Sequence, residues 1–366
     1  MSYYDKYQKA KEIDFTEFFV SVTKRDIRRI LAKDNLTEDD FLALLSPVAS
    51  NFLEEMAEKA HKLTLQNFGR VMLMYLPLYL SNHCVNQCSY CGFNVTNDLT
   101  RDKLSLAEIE KEAVAIAEKG IKHLLILTGE SRKKSPLSYL KRAINLLKDY
   151  FPALSIEIYP LDITEYEELI ATGVEGLTIY QEVYNESLYE QVHLSGPKRD
   201  YHYRLNAPER GCKAGMRNVN IGPLLGLADW RKEAFFAGLH ADYLQRKYLE
   251  TEISLSLPRL RPHQGNFEIQ SVVNDKNLVQ IMLAYRLFLP KVGINLSTRE
   301  SAKLRDNLIQ LGVTKLSAES STAVGGYSKS KEDKQFEIDD KRTVSEIRAM
   351  LKQQNYQMIF KNWHWL

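Results

Sequence analysis

Short apolar or β-branched segments alternate with amphipathic segments along most of this 366-residue chain. The amphipathic segments, for example SLAEIEKEAVAIAEKG and LVQIMLAYRLFL, carry apolar residues three or four positions apart and predict helices. An alternation of eight strands with helices favours an α/β fold, a closed (β/α)8 barrel of TIM type whose functional side chains lie at the carboxyl ends of the strands. The eight predicted strands are Leu76–Leu80, His123–Leu127, Ser155–Tyr159, Gly176–Tyr180, Arg217–Ile221, Glu252–Leu257, Gly293–Ser297 and Thr314–Ser317.

Helical patterns flank the predicted barrel on both sides. Residues 1–70 are predicted as a helical lead-in, with helices from Phe15 to about Phe68 and with Thr37 and Ser46 as candidate N-caps. The barrel is expected to span residues 71–325. Residues 326–366 are predicted as a C-terminal surface segment, YSKSKEDKQFEIDDKR, and a helix, VSEIRAMLKQQN, with the aromatic tail NWHWL packing as a cap.

Composition and charge exclude several classes of protein. Apolar residues make up 44% of the chain and charged residues 26%, which is typical of a globular fold. The net charge of +2 argues against a nucleic-acid partner. The longest apolar run, Val71 to Leu80, is about half the length that crosses a bilayer, so no membrane span is expected. The start MSYYDKYQKAKEIDF lacks the order of a secretion signal, and we therefore expect a cytoplasmic protein without disulfides.

Three of the four cysteines fall within eight residues, in the segment SNHCVNQCSYCGFN. The spacing of Cys84, Cys88 and Cys91 allows one loop to hold three corners of a [4Fe–4S] cluster. Such clusters normally take four cysteines, so three leave one iron open for an exogenous ligand. The alternative is a structural zinc site completed by His83 or Cys212, but structural zinc favours paired C-x2-C knuckles and four closed ligands.

The sequence CVNQCSYC, directly after the first predicted strand, resembles the cluster loop of the radical S-adenosylmethionine (SAM) superfamily. This resemblance implies that the amino and carboxylate groups of SAM chelate the open iron. It also implies that Tyr90, the aromatic residue before the third cysteine, lies by the adenine. Ordinary packing is the alternative for Tyr90.

Three further segments are candidates for SAM binding. The second strand ends in HLLILTGES, where Gly129 and Glu130 resemble the family's Gly-Gly-Glu segment for the methionine amino group, with Thr128 in place of the first glycine. In SIEIYPL, Glu157 alternates with apolar neighbours and is expected to point into the barrel. The resemblance favours the SAM ribose or a nearby arginine as its partner, and a structural salt bridge is the alternative.

The connection after the fourth strand is rich in tyrosine, acid and arginine. Glu182 and Arg204 are the candidates there, with Arg204 clamping a carboxylate and Glu182 orienting it or holding the amino acid part of SAM. Each of the two is equally compatible with a surface ion pair.

The motifs YQEVYN, VHLSGPKRDYHYRL, PERG, IGPLLGLADWR, SLPRLRP, LSTRES and SAESSTAVGGY occur in this order and together resemble the 2-iminoacetate synthase family, the tyrosine lyases of thiamine thiazole biosynthesis. The resemblance implies a reaction in which SAM is split to methionine and 5′-deoxyadenosine while L-tyrosine loses its Cα–Cβ bond. The implied products are 2-iminoacetate (dehydroglycine), which passes to thiazole synthase, and p-cresol. A flavodoxin or ferredoxin is the expected electron donor.

The zwitterionic substrate needs a fixed cation for its carboxylate, and LSTRE at the seventh strand end offers Ser297 and Arg299. The alternative for Arg299 is a pair with Glu300 or a helix cap. Ser317 and Glu319 at the eighth strand end are candidates to complete the pocket. For Arg259 and Arg261 in SLPRLRP, the sequence is compatible both with ligand binding and with anchoring of loops.

Two other functions remain as alternatives. One is a hydrogenase-maturation type of tyrosine lyase that lacks the second cluster, because no cysteine follows Cys212 in the sequence. The other, from a different class, is a zinc-stabilised non-catalytic protein that binds a partner at the barrel mouth. Iron and sulfide analysis separates the cluster from zinc.

Overall fold

The computed structural model describes residues 2–262, 267–328 and 334–361. Its first part is helical, as predicted, and the Thr37 cap is confirmed: the Thr37 side chain accepts from the Asp40 amide, and the Asp40 side chain accepts in return from the Thr37 amide. Ser46 was wrong as a helix N-cap, because it precedes a 3-10 turn whose N-cap position is Pro47, and its hydroxyl accepts from the Ala49 amide at 3.3 Å. The first helix, α1, lies outside the predicted range, since YYDKYQKAK has no long apolar stripe and instead buries Tyr3 and Tyr7. These elements are α1 Tyr3–Lys11, α2 Phe15–Ser21, α3 Lys24–Leu31, α4 Glu38–Leu44, a 3-10 turn Val48–Asn51 and α5 Leu53–Phe68.

All eight predicted strands are present and form a closed parallel barrel. Closure comes from the last barrel strand, in which Lys315 and Ser317 pair with Leu73 and Tyr75 of the first strand. The fold prediction is therefore confirmed. The barrel strands are β1 Val71–Ser81, β3 His123–Thr128, β4 Ala153–Glu157, β5 Gly176–Thr178, β7 Asn218–Ile221, β8 Glu252–Ser256, β9 Gly293–Leu296 and β10 Lys315–Ser317; β2 Gln87–Cys88, β6 His193–Ser195 and β11 Gln357–Ile359 lie outside it.

Helices surround the barrel and cover the apolar face of its strands. Leu76, Ile126 and Ile156 are fully buried on that face. The hydrophobic effect of this layer holds the barrel together. None of the described helices is long and apolar enough to cross a membrane. The helices are α6 Leu106–Glu118, α7 Leu137–Leu147, α8 Ile163–Thr172, α9 Glu186–Val192, α10 Tyr201–Leu205, α11 Ala207–Lys213, α12 Trp230–Lys247, α13 Asp275–Phe288, α14 Ala302–Leu308 and α15 Val344–Gln353, with 3-10 turns Pro197–Arg199 and Ile309–Leu311.

The inner side of the barrel is polar over much of its length. The Asn220 amide donates to the hydroxyl of Ser256 at 2.8 Å, and the Ser254 hydroxyl donates back to the Asn220 side-chain oxygen at 3.2 Å. TIM barrels are usually filled by layers of branched apolar side chains. Here polar groups replace part of that filling, which suits a barrel that holds a polar ligand.

The C-terminal part crosses the barrel and adds a strand. Beyond the predicted helix, which is present as α15, β11 pairs in parallel with the start of β1, Gln357 opposite Val71. The sequence pattern does not predict this strand. We call residues 334–342, which run over the carboxyl ends of the barrel strands, the C-terminal strap. The aromatic tail NWHWL, residues 362–366, lies outside the described residues, so its packing as a cap stays a prediction. The predicted domain boundaries also stay a prediction.

Candidate active site

The three clustered cysteines follow β1 and line one cavity at the carboxyl ends of the strands. Cys84, Cys88 and Cys91 share this cavity with Gly129 and Glu130. Among the residues that the structure describes, no three His, Cys, Asp or Glu side chains converge on the position of a single metal ion. Three thiols that line one cavity suit a cubane, which is held by its corners.

The cysteine loop is held by backbone pairing on one side and by a side chain on the other. Strand β2, which contains Cys88, pairs antiparallel with β6, so that Cys88 lies opposite His193. Arg101 donates at 2.9 Å to the carbonyls of Asn82 and Phe93. These contacts fix the loop before any ligand binds. Such preorganisation is what a cluster site needs.

Burial makes free thiolates costly in this loop. It raises the pKa of the Cys88 thiol to about 12, and it also raises the pKa of Cys91. Three unpaired thiolates in one cavity would repel each other, and bound iron would offset this repulsion together with the charge of Lys198, which lowers the pKa of Cys88 and Cys91. Cys212 is buried and does not line this cavity, as predicted for a packing residue.

Gly129 and Glu130 lie against the cysteine loop. The Gly129 amide donates to the carbonyl of Ser81 at 2.8 Å, and a Cβ on Gly129 would lie 2.5 Å from the carbonyl oxygen of His83. The glycine is therefore needed for the close approach of the two backbones. The Glu130 carboxylate accepts from the side chain of Asn86 at 2.6 Å and lines the cavity.

Tyr90 is fixed by a histidine relay. Its hydroxyl lies 2.7 Å from His193 Nε2, and His193 Nδ1 lies 2.8 Å from the carbonyl of Tyr189. A carbonyl only accepts, so Nδ1 carries the proton. Burial lowers the pKa of His193 to about 2, which keeps the ring neutral, and Tyr90 therefore donates to Nε2. In the described part of the chain Tyr90 is not among the residues that line the cysteine cavity, and its place by the adenine stays a prediction.

Glu182 and Arg204 come together, as the sequence suggests, and a third residue joins them. The Glu182 carboxylate lies 2.6 Å from Lys198 Nζ and 3.4 Å from Arg204, whose Nε also donates to the Tyr180 carbonyl at 2.6 Å. Glu182 has φ of 70°, a strained value for a residue with a side chain, and the Leu224 amide holds its carbonyl at 2.8 Å. Lys198 was missed, because GPKRD reads as a polar turn.

Glu157 lies where two cavities meet. It lines both the cysteine cavity and a second cavity inside the barrel. Burial raises the pKa of its carboxyl to about 7, and the charge of Glu182 adds to this, against the charges of Arg299 and Lys198. No described residue donates a hydrogen bond to it. Its inward direction is as predicted, and the structural salt bridge is not formed.

The second cavity contains Ser297 and Arg299, together with Tyr75 and Tyr180. The Arg299 guanidinium lies 3.4 Å from the ring centre of Phe336, on the strap. Arg299 does not pair with Glu300, whose carboxylate accepts instead from Arg259. The two tyrosines were missed, although their alternation within β1 and after β5 was a signal for inward side chains.

The other strand-end candidates divide between cavity and scaffold. Ser317 lines the second cavity and accepts from the Thr298 amide at 3.1 Å. Glu319 does not reach it: its carboxylate pairs with Lys119 and accepts from the Val344 amide at 3.2 Å. Arg259 also pairs with Asp275 at 2.9 Å, and Arg261 lies 3.5 Å from Asp339. These contacts favour an anchoring role for both arginines.

Comparison with known proteins agrees with this geometry. Residues 78–236 match the model of the Radical SAM superfamily, and residues 256–357 match the Biotin and Thiamin Synthesis associated domain. The chain is 41% identical to the 2-iminoacetate synthase of Escherichia coli over 93% of this chain and 91% of that protein. It is 40% identical to the 2-iminoacetate synthase of Salmonella typhimurium over 94% of this chain and 92% of that protein.

Among solved structures, the chain is similar to the FeFe-hydrogenase maturase HydG from Carboxydothermus hydrogenoformans, with a TM-score of 0.91 and 33% identity over 99% of this chain and 86% of that one. Methylornithine synthase, at 19% identity and a TM-score of 0.73, shares the fold. The superfamily implies a [4Fe–4S] cluster and SAM, and the cysteine cavity fits both. By its cysteine loop, its barrel and its identity to these relatives over nearly the whole length, the chain belongs to the radical SAM superfamily and, within it, to the family of the 2-iminoacetate synthases.

Proposed function

We propose that this chain is a tyrosine lyase, which cleaves the Cα–Cβ bond of L-tyrosine to 2-iminoacetate and p-cresol for the thiazole ring of thiamine. One observation carries the proposal: the cysteine cavity and a cavity that contains Arg299 and Ser297 share a wall made of Tyr79, Leu127, Glu157 and Tyr180. A radical generated in the first cavity would reach a substrate in the second without crossing solvent. The superfamily membership and the relatives named 2-iminoacetate synthase support the same reaction.

Cys84, Cys88 and Cys91 hold the cluster, which together with SAM supplies a 5′-deoxyadenosyl radical and methionine after one-electron reduction. Glu130, fixed by Asn86, accepts from the amino group of SAM. Gly129 keeps its backbone close to the cysteine loop, so that Glu130 lines the same cavity as the three cysteines.

The remaining candidate residues bind the rest of SAM, and of these Glu157, Glu182, Lys198 and Arg204 line the cysteine cavity. Arg204 and Lys198, held by Glu182, provide positive charge for its carboxylate. None of the described residues donates a hydrogen bond to Glu157, which lines the cysteine cavity and would accept from the ribose hydroxyls. Tyr90, locked by His193, packs by the adenine.

Arg299 and Ser297 bind the substrate. The guanidinium fork of Arg299 pairs with the tyrosine carboxylate, and the Ser297 hydroxyl adds a hydrogen bond. The aromatic ring of the substrate packs among Tyr75, Leu125 and Tyr180. Phe336 covers Arg299 and keeps water from the reacting amino group.

The proposal includes two protein partners and a cellular location. Burial lowers the pKa of His83, beside the cysteine loop, and the charges of Lys134, Arg101 and Lys103 lower it further, against the charge of Asp102. This charge suits an acidic flavodoxin or ferredoxin as electron donor. Because the 2-iminoacetate product hydrolyses in water, it passes directly to thiazole synthase, the second partner. Both partners fit an enzyme of the cytoplasm.

The decisive experiment is an anoxic assay of the reconstituted chain with dithionite, SAM and tyrosine. We expect 5′-deoxyadenosine, p-cresol and glyoxylate, the last from hydrolysis of the imine. Production of 5′-deoxyadenosine without p-cresol would reject tyrosine as the substrate. Metal analysis of the same sample should give about four irons per chain, whereas about eight would indicate a second cluster and one zinc a structural site.

A further inference from the structure

The C-terminal strap reaches the cysteine loop through one side chain. Gln335 Nε2 lies 3.7 Å from the sulfur of Cys91, within the range of an N–H···S hydrogen bond. Its side-chain oxygen accepts from the hydroxyl of Tyr79 at 2.7 Å. A cluster-bound thiolate only accepts hydrogen bonds, so the NH2 group must face the sulfur and the oxygen must face Tyr79. The two contacts therefore agree on one orientation of the amide.

The backbone around Gln335 is equally well held. Its amide donates to the Thr322 carbonyl at 3.1 Å, and the Thr322 hydroxyl donates to the carbonyl of Phe336 at 2.8 Å. A Cβ on Gly92 would overlap the Gln335 carbonyl, so the strap and the cysteine loop are in direct backbone contact. Farther along, the Asp339 amide donates to the Thr298 carbonyl at 2.9 Å. The backbone of the strap is therefore held on both sides of Gln335, and this fixes the point from which the Gln335 side-chain amide reaches Cys91.

We propose that Gln335 is a positioning residue for the cluster, which donates a hydrogen bond to the Cys91 ligand and thereby raises the reduction potential of the cluster. Reduction places more negative charge on the sulfur ligands, and a donor to one of them stabilises the reduced form. This inference rests on the cluster assignment described above. It adds a residue from the C-terminal strap, some 240 positions along the chain from Cys91, to the surroundings of the cluster.

The geometry also gives this donor a second neighbour of functional interest. Phe336 directly follows Gln335 and lies on Arg299, the proposed residue for the substrate carboxylate. Two consecutive strap residues thus contact a cluster ligand and a substrate residue.

The test is a redox titration of the reconstituted protein, in which the electron paramagnetic resonance signal of the reduced cluster is measured at each potential. Gln335→Met removes the donor and keeps the volume, and Gln335→Glu keeps an acceptor for Tyr79 but has no N–H for the sulfur. We expect a more negative midpoint potential in both variants. Thr322→Val is the control, because it loosens the strap and leaves the amide in place; its potential should equal that of the wild type.

Two results would overturn the proposal: an unchanged potential in a loaded Gln335→Met or Gln335→Glu protein, or an equal shift in Thr322→Val. Iron and sulfide are measured in every sample. A wild-type chain without a cluster would reject the cluster assignment and this proposal with it, whereas an unchanged potential in a loaded variant rejects the role of Gln335 alone. Should Gln335→Met fail to bind iron, Gln335→Leu decides, because the added carboxylate charge of Gln335→Glu lowers the potential by itself.

Discussion

Gly129, at the end of β3, lies against the carbonyl of His83, so closely that a Cβ on the glycine would be 2.5 Å from that oxygen. The contact joins the strand that carries Glu130 to the loop that carries the first cysteine. The cysteine loop and the acceptor for the SAM amino group are therefore positioned together.

Gly129→Ala should displace the cysteine loop, since a methyl group cannot occupy this space without moving the backbone, at a cost of about 1–3 kcal/mol. We expect less iron per chain after reconstitution and weaker SAM binding. Gly215→Ala is the control: unlike Gly129, Gly215 has a positive φ and no atom near its Cβ position, so this variant introduces backbone strain without crowding a neighbouring segment. Full iron loading of Gly129→Ala would contradict the argument.

Cys88→Ala should abolish the reductive cleavage of SAM, because two thiolates do not hold the cluster with one iron correctly exposed. The measurement is 5′-deoxyadenosine formed under dithionite, together with iron content. Cys212→Ala serves as control, since Cys212 is buried away from the cavity and its loss should cost only about 1 kcal/mol of folding stability. Retained 5′-deoxyadenosine production by Cys88→Ala would remove this cysteine from the site.

Arg299→Ala should raise the KM for tyrosine by about 10-fold to 100-fold, the loss of a charge-assisted hydrogen bond of about 1.5–3 kcal/mol. Arg299→Lys should recover part of the loss, since it keeps the charge without the planar fork. Arg261→Ala is the comparison, because that side chain contacts Asp339 of the strap. Steady-state kinetics at saturating SAM decide, and equal KM values for Arg299→Ala and the wild type would reject the assignment.

Glu157 makes the stability of the cluster-free chain depend on pH. Its folded pKa of about 7 lies above the model-peptide value of 4.5, so the folded state binds more protons between these values. The contribution of the Glu157 carboxyl to folding stability is fully present below about pH 4.5 and is lost as the pH rises through about 7. Glu157→Gln should abolish this fall. Between about pH 4 and about pH 8.5, the free energy of unfolding of this variant should rise by about 3 kcal/mol relative to that of the wild type.

Urea denaturation of the cluster-free proteins across this range measures the effect. The exposed Glu167→Gln variant is the control, and its stability should follow the wild type at every pH. Parallel curves for Glu157→Gln and the wild type would show that Glu157 is not the group responsible.

Sequence patterns predicted the barrel because its strands and helices alternate with a clear period, and they predicted the cysteine loop because three cysteines lie in eight residues. They did not predict Lys198 or Gln335, whose neighbours in the fold are distant in sequence. Glu319 was wrong as a pocket residue, because its backbone takes a left-handed conformation and its side chain turns to Lys119. Strand β11 was not predicted either, because it is only three residues long and forms by pairing with the distant strand β1.

The position of β1 has a consequence for biosynthesis. This early strand is completed only by partners made much later, β10 at Lys315 and β11 at Gln357. Contacts between such distant segments form slowly, and one side of β1 stays unpaired while the ribosome adds the intervening residues. The nascent chain therefore exposes an open edge of β1 until β10 and β11 have been synthesised.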